Sequence, residues 1–207
     1  RGATAAQEKA AQQAAWQGRV KNRWDIKPMS AERMMTEIAG ALPANTIIAD
    51  DAITTGESLH GAMEFNEPGS IFGGRGGALG WGMGGAMGVK LANPDRPVVA
   101  VVGDGSSMMT VQALWTAAAA NIPVVYVICN NKAYRILKLN MNTYKREVLQ
   151  EKDPKSEYIA MDFPVPLNIA GIAEALGVHG RSIEDPADLV PALRHALELG
   201  KPESMLK

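Results

Sequence analysis

The chain has 207 residues, of which 46% are hydrophobic and 21% are charged, and this is enough apolar material for the core of one ordinary globular domain. Its 21 Lys and Arg residues against 22 Asp and Glu residues exclude the basic surface of a protein whose main partner is a nucleic acid or an anionic membrane. The single cysteine, Cys129, cannot form an internal disulfide, and no apolar run approaches the roughly 18 residues of a membrane span. The composition therefore predicts a protein of a reducing, cytoplasmic compartment.

The N-terminal segment, residues 3–24, is rich in good helix formers and poor in large apolar side chains, which indicates a linker helix that lies on another unit. Because the chain starts at Arg1 without an initiator Met or a signal-peptide core, we expect it to belong to a longer polypeptide. Ser30 is a suitable N-cap for a second helix over residues 31–42. A short apolar strand ending at Asp50 follows.

The middle of the chain alternates between helical and strand patterns. We predict helices over 54–63, 78–91 and 110–120 and a glycine-rich loop over 68–77. PVVAVVGDG and IPVVYVICNN are apolar runs typical of strands buried on both faces. With a helix between them, these two strands predict a parallel, right-handed strand-helix-strand unit. A further helix, strand and helix follow towards the C-terminus. The sequence therefore predicts an α/β fold, an open and mainly parallel sheet with helices on both faces.

Polar residues follow both apolar runs directly. Asp104 ends the first run and Asn131 the second, so neighbouring parallel strands would bring the two side chains to the same edge of the sheet. Carboxylate and amide oxygens suit Mg²⁺ or Ca²⁺, and Mg²⁺ often retains open positions for phosphate groups. Gly105 would let backbone N–H groups approach a phosphate, and Ser106 adds a hydroxyl. The spacing thus predicts a metal and diphosphate site.

These residues carry a resemblance to a known family. GDGSSMMTVQALWTAAAANIPVVYVICNN resembles the thiamine-diphosphate motif of decarboxylases and carboligases, and GGALGWGMGGAMGVKLANPDRPVVAVVGDG is most similar to benzoylformate decarboxylases and next to acetolactate synthases. The resemblance implies the thiamine-diphosphate-binding fold, with residues 30–207 as the diphosphate-binding domain and residues 1–29 as a linker helix from a preceding domain. It also implies a last apolar strand where this chain has ESMLK, so we expect a cut or altered C-terminus.

The resemblance assigns roles residue by residue. The implied metal ligands are the Asp104 and Asn131 side chains and the backbone carbonyl of Ala133. The positions that correspond to cofactor contacts are Ala52, Ile53, Gly77, Leu79, Gly103, Gly105, Ser106, Tyr134 and Ile136. The Gly77 carbonyl would accept the 4'-amino group of the cofactor, and Leu79 would support its bent shape. Because Ala52 and Ile53 have no side-chain hydroxyl, backbone N–H groups would bind the diphosphate there.

Leu137 occupies the position, six residues after Asn131, where pyruvate decarboxylases carry an active-site glutamate. An apolar residue there favours an apolar or aromatic substrate side chain. The implied activity is a thiamine-diphosphate- and Mg²⁺-dependent decarboxylation of a 2-keto acid, with an acetolactate synthase-like carboligase or a 2-hydroxyacyl-CoA lyase as alternatives. The activating glutamate would come from a pyrimidine-binding domain outside this chain, in a homodimer or homotetramer.

Two alternatives from other classes stay open. Gly80, Gly82 and Gly85 form a G-x-G-x-x-G pattern, which is typical of NAD-binding oxidoreductases when it directly follows a strand. In this chain a glycine-rich loop precedes the pattern, which disfavours that hypothesis. The other alternative is a non-catalytic subunit that keeps the fold, and the retention of Asp104, Gly105 and Asn131 disfavours it.

Overall fold

The computed structural model describes residues 2–151, 158–199 and 203–206. In these ranges the helices are α1 (Gly2–Arg23), α2 (Ala31–Ala41), α3 (Ile53–Ala62), α4 (Trp81–Ala92), α5 (Asp104–Met109), α6 (Ala113–Ala119), α7 (Arg135–Glu147), α8 (Ile169–Ala175) and α9 (Pro186–Leu199). The strands are β1 (Ile47–Asp51), β2 (Ile71–Gly73), β3 (Val98–Gly103), β4 (Val125–Cys129), β5 (His179–Ser182) and β6 (Glu203–Leu206). None of these helices combines the length and hydrophobicity needed to cross a bilayer.

The strands form one sheet in the order β2-β1-β3-β4-β6-β5, and all five pairings between these strands are parallel. Alternate residues of β3 point into two separate cores: Ala100 and Val102 pack with α4, α6 and α8, whereas Val99 and Val101 pack with α2, α3 and α9. This two-sided burial explains the uninterrupted apolar run of the strand. The predicted α/β fold, a parallel sheet with helices on both faces, is confirmed.

The N-terminal segment, predicted to be a linker helix, forms α1, which lies on α2 and α3. Trp16 and Val20 are its buried apolar contacts, and most of its other described side chains are exposed. Gly61 makes room for the indole, because a Cβ there would lie 2.5 Å from a Trp16 ring carbon. The next helix begins as predicted, with the Ser30 hydroxyl accepting the N–H of Arg33 at 3.2 Å.

Two local predictions were wrong. The glycine-rich loop contains the short edge strand β2 and a 3-10 turn, Arg75–Gly77. A separate helix, α5, begins at Asp104, before the predicted helix. Glu203–Leu206, which lacks the apolar pattern of the family's last strand, forms β6 between β4 and β5. The common reason is that each element is too short or too polar to show a hydrophobic period, and only pairing or packing with distant residues stabilises it.

Candidate functional site

The carboxyl ends of three neighbouring strands meet at one edge of the sheet. Asp51 of β1 is in register with Val102 of β3, and Gly103 of β3 is in register with Cys129 of β4. The residues that follow these strands, Asp104 and Asn131 among them, therefore emerge side by side. This is the position where ligands bind in open α/β sheets.

The Asp104 carboxylate is fixed in a buried position, with only 2% of the residue exposed. Its Oδ1 accepts the Gly105 N–H at 2.8 Å, and its Oδ2 accepts the Lys132 N–H at 2.7 Å. Burial raises the pKa of Asp104 above its usual range, and backbone N–H groups of Gly105, Lys132 and Asn131 oppose that rise. The carboxylate thus joins the start of α5 to the loop after β4.

The loop after β4 makes a sharp turn beside Asp104. The Asn131 side-chain oxygen accepts the Ala133 N–H at 3.0 Å, and Lys132 has a φ of 57°, in the left-handed region that favours glycine and asparagine. The Lys132 carbonyl accepts the Phe163 N–H at 3.0 Å, which ties the turn to the segment before α8. Asn131 and Ala133, two predicted metal ligands, therefore lie in one turn whose backbone is bonded to the third, Asp104.

Tyr134 covers the backbone of Gly105. A Cβ at Gly105 would lie 2.6 Å from the Tyr134 Cε1 atom, so only glycine fits without a shift of the ring. The Tyr134 ring meets Phe163 edge-on, with centroids 4.8 Å apart. The loop after β4 and the start of α5 are consequently packed against each other.

The Ser106 hydroxyl is used within the protein. It donates to Asp51 Oδ2 at 2.7 Å and accepts the Gly80 N–H at 2.8 Å. From the sequence, this hydroxyl was predicted to contact a phosphate. With both hydrogen bonds formed, the part of Ser106 left for a phosphate is its backbone N–H.

A cleft of about 320 Å³ lies between α3 and the turn before α4. Ala52 and Ile53 line it from one side, and Gly77 and Leu79 from the other. Gly77 has a φ of 70°, and Leu79 is 43% exposed although it is a large apolar residue. Four of the predicted cofactor positions thus share one cleft.

Asp50 and His60 form a polar pair in this cleft, with Asp50 Oδ2 and His60 Nε2 3.5 Å apart. Asp50 Oδ1 also accepts the Ala52 N–H at 3.1 Å. Desolvation raises the pKa of Asp50, although His60 and the Ala52 N–H favour the carboxylate. The pair could not be predicted from the sequence, because the distance between His60 and Asp50 depends on how α3 docks on the sheet.

Thr54 joins the cleft to the Asp104 cluster, and sequence reasoning missed it. Its hydroxyl lies 3.5 Å from the Asn131 side-chain nitrogen. It belongs to the first turn of α3, where Ala52 provides no side-chain cap and backbone N–H groups lack helical partners. A hydroxyl is therefore present next to Ala52 and Ile53, where none was expected.

Ile136 and Leu137 are at the start of α7, a helix that buries none of its side chains. The Leu137 N–H donates to the Tyr134 carbonyl at 3.0 Å, so α7 starts directly from the turn beside Asp104. Leu137 is 47% exposed and, like Ile136, does not line the cleft of α3. Both residues therefore follow the turn beside Asp104, and their roles at the cofactor and the substrate stay predictions.

The G-x-G-x-x-G pattern has a structural explanation. The N–H groups of Gly80 and Gly82, at the start of α4, donate to Asp51 Oδ2 at 2.9 and 3.2 Å. A cofactor phosphate would have to displace this buried carboxylate, and a 3-10 turn separates the pattern from the strand before it. The glycines therefore bind an internal anion at the place where a dinucleotide fingerprint would bind a pyrophosphate.

Comparison with known proteins gives the family. Residues 53–205 match the model of the C-terminal TPP-binding domain of thiamine pyrophosphate enzymes. The chain belongs to this family. Thiamine pyrophosphate is the same compound as thiamine diphosphate, and Mg²⁺ is the usual partner ion of these enzymes.

Individual relatives lie in two branches of the family. The chain is 31% identical over 175 residues to benzoylformate decarboxylase of Pseudomonas aeruginosa and 32% identical over 180 residues to acetolactate synthase large subunit IlvG of Mycobacterium tuberculosis. These alignments cover 84% and 86% of the chain but 31% of each relative. The structure is similar to the 4-hydroxybenzoylformate decarboxylase of Rhodococcus jostii RHA1, with a TM-score of 0.77 and 28% identity, over 86% of this chain and 32% of that one. The chain thus spans about a third of the length of these proteins.

The residues at the sheet edge fit the cofactor and its ion. A carboxylate at the start of α5, with an amide oxygen and a backbone carbonyl in the turn beside it, provides the hard oxygen donors that Mg²⁺ prefers. Glycine at position 105 allows this close approach, because a Cβ there would lie 2.6 Å from Tyr134. The donor chemistry of this TPP-binding domain therefore agrees with a metal-bound diphosphate.

Proposed function

We propose that residues 30–207 form the diphosphate-binding domain of a thiamine-diphosphate- and Mg²⁺-dependent enzyme that decarboxylates a 2-keto acid, and that residues 1–29 link it to a preceding domain. The observation that carries this proposal is the arrangement of Asp104, Asn131 and Ala133 around one turn at the carboxyl edge of the sheet. In a TPP-binding domain, an oxygen-donor cluster in that position supports binding of the metal and the diphosphate.

In this proposal the Asp104 carboxylate, the Asn131 amide oxygen and the Ala133 carbonyl hold Mg²⁺. Asp104 is already oriented by two backbone N–H groups, so little reorganisation would accompany metal binding. Ala52, Ile53, Gly105 and Ser106 would border the diphosphate, with Gly103 behind them. The donors to the diphosphate would be the N–H groups of Ile53 and Ser106, because those of Ala52 and Gly105 already donate to Asp50 and Asp104. Tyr134 and Ile136 would border the same cavity.

The Thr54 hydroxyl adds a donor to this set. It projects from the first turn of a ten-residue helix, α3, whose free N–H groups favour a negative charge. Its contact with Asn131 puts it within reach of the groups that bind the metal. We assign Thr54 to the diphosphate.

The cleft beside α3 would take the aminopyrimidine end of the cofactor, with the Gly77 carbonyl accepting its 4'-amino group and the exposed Leu79 side chain supporting its bend. When bound, thiamine diphosphate supplies a carbon nucleophile and an electron sink for the loss of CO₂ from a 2-keto acid. The chain itself contributes orientation of the two ends of the cofactor and exclusion of water by apolar side chains around them.

A benzoylformate decarboxylase-like substrate is favoured by the apolar Leu137 at the start of α7 and by the decarboxylases among the relatives. The similarity to acetolactate synthase supports a carboligase as the second candidate. A 2-hydroxyacyl-CoA lyase remains a third possibility with no observation of its own. An NAD-binding oxidoreductase is disfavoured, because Asp51 takes the N–H groups that the pyrophosphate would need.

We further propose that the site is completed by a pyrimidine-binding domain, in a cytoplasmic homodimer or homotetramer. α7 carries an apolar stripe at helical spacing, which Val148 continues at the C-cap, and all four side chains are exposed: Leu137, Met141, Tyr144 and Val148. The relatives are about three times as long as this chain, so further domains are available to cover that stripe. The activating glutamate would come from the covering domain.

The proposal is tested by incubating the complete protein with thiamine diphosphate, Mg²⁺ and either benzoylformate or pyruvate, and identifying the products by NMR. Benzaldehyde from benzoylformate is the expected product. Acetolactate from pyruvate would favour the carboligase, and no turnover of either keto acid would contradict the proposed substrate class. A parallel incubation with EDTA must lose the activity if Mg²⁺ is required.

A further inference from the structure

The carboxylate of Asp51 joins three parts of the molecule through one oxygen atom. Asp51 Oδ2 accepts the Ser106 hydroxyl at 2.7 Å, the Gly80 N–H at 2.9 Å and the Gly82 N–H at 3.2 Å. Asp51 is 6% exposed, so these bonds are formed away from water. Hydrogen bonds to a buried carboxylate are stronger and shorter than those between neutral groups.

The partners of Asp51 belong to opposite sides of the proposed cofactor site. Gly80 directly follows the turn that carries Gly77 and Leu79, whereas Ser106 directly follows Asp104 and Gly105. The Thr110 hydroxyl adds a second link between the same two segments, since it donates to the Gly80 carbonyl at 2.6 Å. The position of one segment relative to the other is therefore determined in part by this carboxylate.

Two glycines allow the close approach that the arrangement needs. A Cβ at Gly82 would lie 2.5 Å from the Asp51 Cβ atom, and a Cβ at Gly80 would lie 2.7 Å from the Met109 Cβ atom. Gly80 also has a φ of 89°, which L side chains rarely adopt. Asp51, α4 and α5 thus meet at distances that only glycine permits at these two positions.

We propose that Asp51 is a positioning residue for the cofactor: it sets the spacing between the turn of Gly77 and Leu79 and the loop of Asp104 and Gly105. This inference rests on the proposed function, because it takes those two segments as the places where the two ends of thiamine diphosphate bind. Asp51 borders the cleft, but its Oδ2 is already occupied by the Ser106 hydroxyl and the N–H groups of Gly80 and Gly82. It acts through Gly80 and Ser106.

A purely structural role makes a different prediction from a positioning role. If Asp51 only stabilises the fold, Asp51→Asn lowers the unfolding temperature and leaves cofactor affinity unchanged in the folded protein. If it positions the two segments, the neutral amide, which accepts these three hydrogen bonds less well, weakens cofactor binding by about tenfold or more. The KM for thiamine diphosphate rises, while the KM for the keto acid at saturating cofactor changes little.

The experiment compares the wild-type complete protein with Asp51→Asn and with Asp95→Asn, a matched change of an exposed carboxylate near the start of β3. Thiamine diphosphate is titrated by calorimetry at saturating Mg²⁺. The temperature is kept below the lowest unfolding midpoint of the three proteins, so that all of them are folded. Hydrogen exchange without cofactor is the second readout, and the Gly80 and Gly82 amides are expected to exchange faster in Asp51→Asn alone. Wild-type affinity and wild-type exchange in folded Asp51→Asn would overturn the inference.

Ser106→Ala is the alternative test variant if Asp51→Asn does not fold. It removes one of the groups that donate to Asp51 and leaves the carboxylate and the two N–H groups in place. A several-fold loss of cofactor affinity is expected, and wild-type affinity would overturn the inference.

Where both variants fold, the double variant should bind little worse than Asp51→Asn, because both changes break the same link. Losses that multiply in the double variant would contradict the link. Absence of cofactor binding by the wild-type protein would overturn the proposed function, and with it this inference, whereas wild-type binding by the variants overturns the inference alone.

Discussion

The Thr54 hydroxyl lies 3.5 Å from the side-chain nitrogen of Asn131, so the first turn of α3 meets the turn that follows β4. These residues are 77 positions apart in the chain. Through this contact, the cleft that contains Gly77 and Leu79 adjoins the oxygen cluster around Asp104. In the proposed function, the two ends of the cofactor bind on either side of this contact.

Thr54→Val tests whether the hydroxyl belongs to the diphosphate site. The change keeps the shape of the side chain and removes its hydrogen bond, and a lost bond to a charged group lowers affinity for thiamine diphosphate by about tenfold or more. Calorimetric titration of the complete protein with Mg²⁺ measures it. Thr116→Val, the same change at an exposed position of α6, is the control and should bind as the wild type does.

Gly105→Ala tests the packing of α5 against the turn beside Asp104. The new methyl group would lie 2.6 Å from Tyr134 Cε1, so the ring must move, and we expect a loss of about 1–3 kcal/mol in the free energy of unfolding. Gly84→Ala is the matched control: nothing lies within 4 Å of a Cβ at this position in α4, and alanine should stabilise the helix by about 0.5–1 kcal/mol. Denaturant unfolding of both variants gives the comparison, and equal stabilisation in the two would contradict the contact with Tyr134.

The pH dependence of stability tests the burial of Asp50. Its folded-state pKa is raised above the unfolded value, so the folded protein holds a proton that the unfolded chain has lost, and stability declines as pH rises from the unfolded pKa through the folded one. His60 and the Ala52 N–H favour the carboxylate and Asp51 disfavours it, but desolvation is the largest influence. Asp50→Asn should therefore unfold at a higher temperature than the wild type at pH 7.

That advantage of Asp50→Asn should shrink as the pH falls and vanish below the unfolded-state pKa, where aspartate is protonated in both states. Thermal unfolding of the two proteins across this pH range measures it, with the exposed Asp95→Asn as the control that should show no such trend. A constant difference between Asp50→Asn and the wild type at every pH would show that charge burial is not the cause.

Leu137→Glu tests the predicted substrate pocket. A carboxylate at the start of α7 should reduce kcat/KM for benzoylformate more than for pyruvate, because an aromatic side chain loses apolar contact and meets a charge. Leu139→Glu makes the same change on the same helix, at a similarly exposed residue outside the predicted site. A larger loss with pyruvate, or equal effects of the two variants, would argue against the pocket.

The sequence predicted the centre of the sheet well. β1, β3 and β4 are buried on both faces, and their side chains form the continuous apolar runs by which such strands are recognised. Because Asp104 and Asn131 follow two of these strands directly, their meeting at one edge followed from the parallel arrangement alone. The family assignment rested on the same stretch.

Other features depend on distant partners and left no local signal. β2 has three residues in a glycine-rich segment, and it is a strand because it pairs with β1. The Ser106 hydroxyl was expected at a phosphate, but its acceptor is Asp51, 55 residues earlier in the chain. Thr54 was overlooked for the same reason, since its proximity to Asn131 arises from the docking of α3 on the sheet. Tertiary hydrogen bonds, which have no sequence period, decide these positions.

The central claim is that Asp104 holds the ion through which the diphosphate binds, and titration of Asp104→Asn with thiamine diphosphate tests it most directly. In the complete protein the wild type should bind the cofactor only when Mg²⁺ is present, and EDTA should abolish binding. Asp104→Asn should remain folded and lose affinity by more than about 100-fold, since even changes behind a metal ligand cost 10–100-fold. Cofactor binding by folded Asp104→Asn that equals the wild type, or wild-type binding that ignores EDTA, would contradict the account.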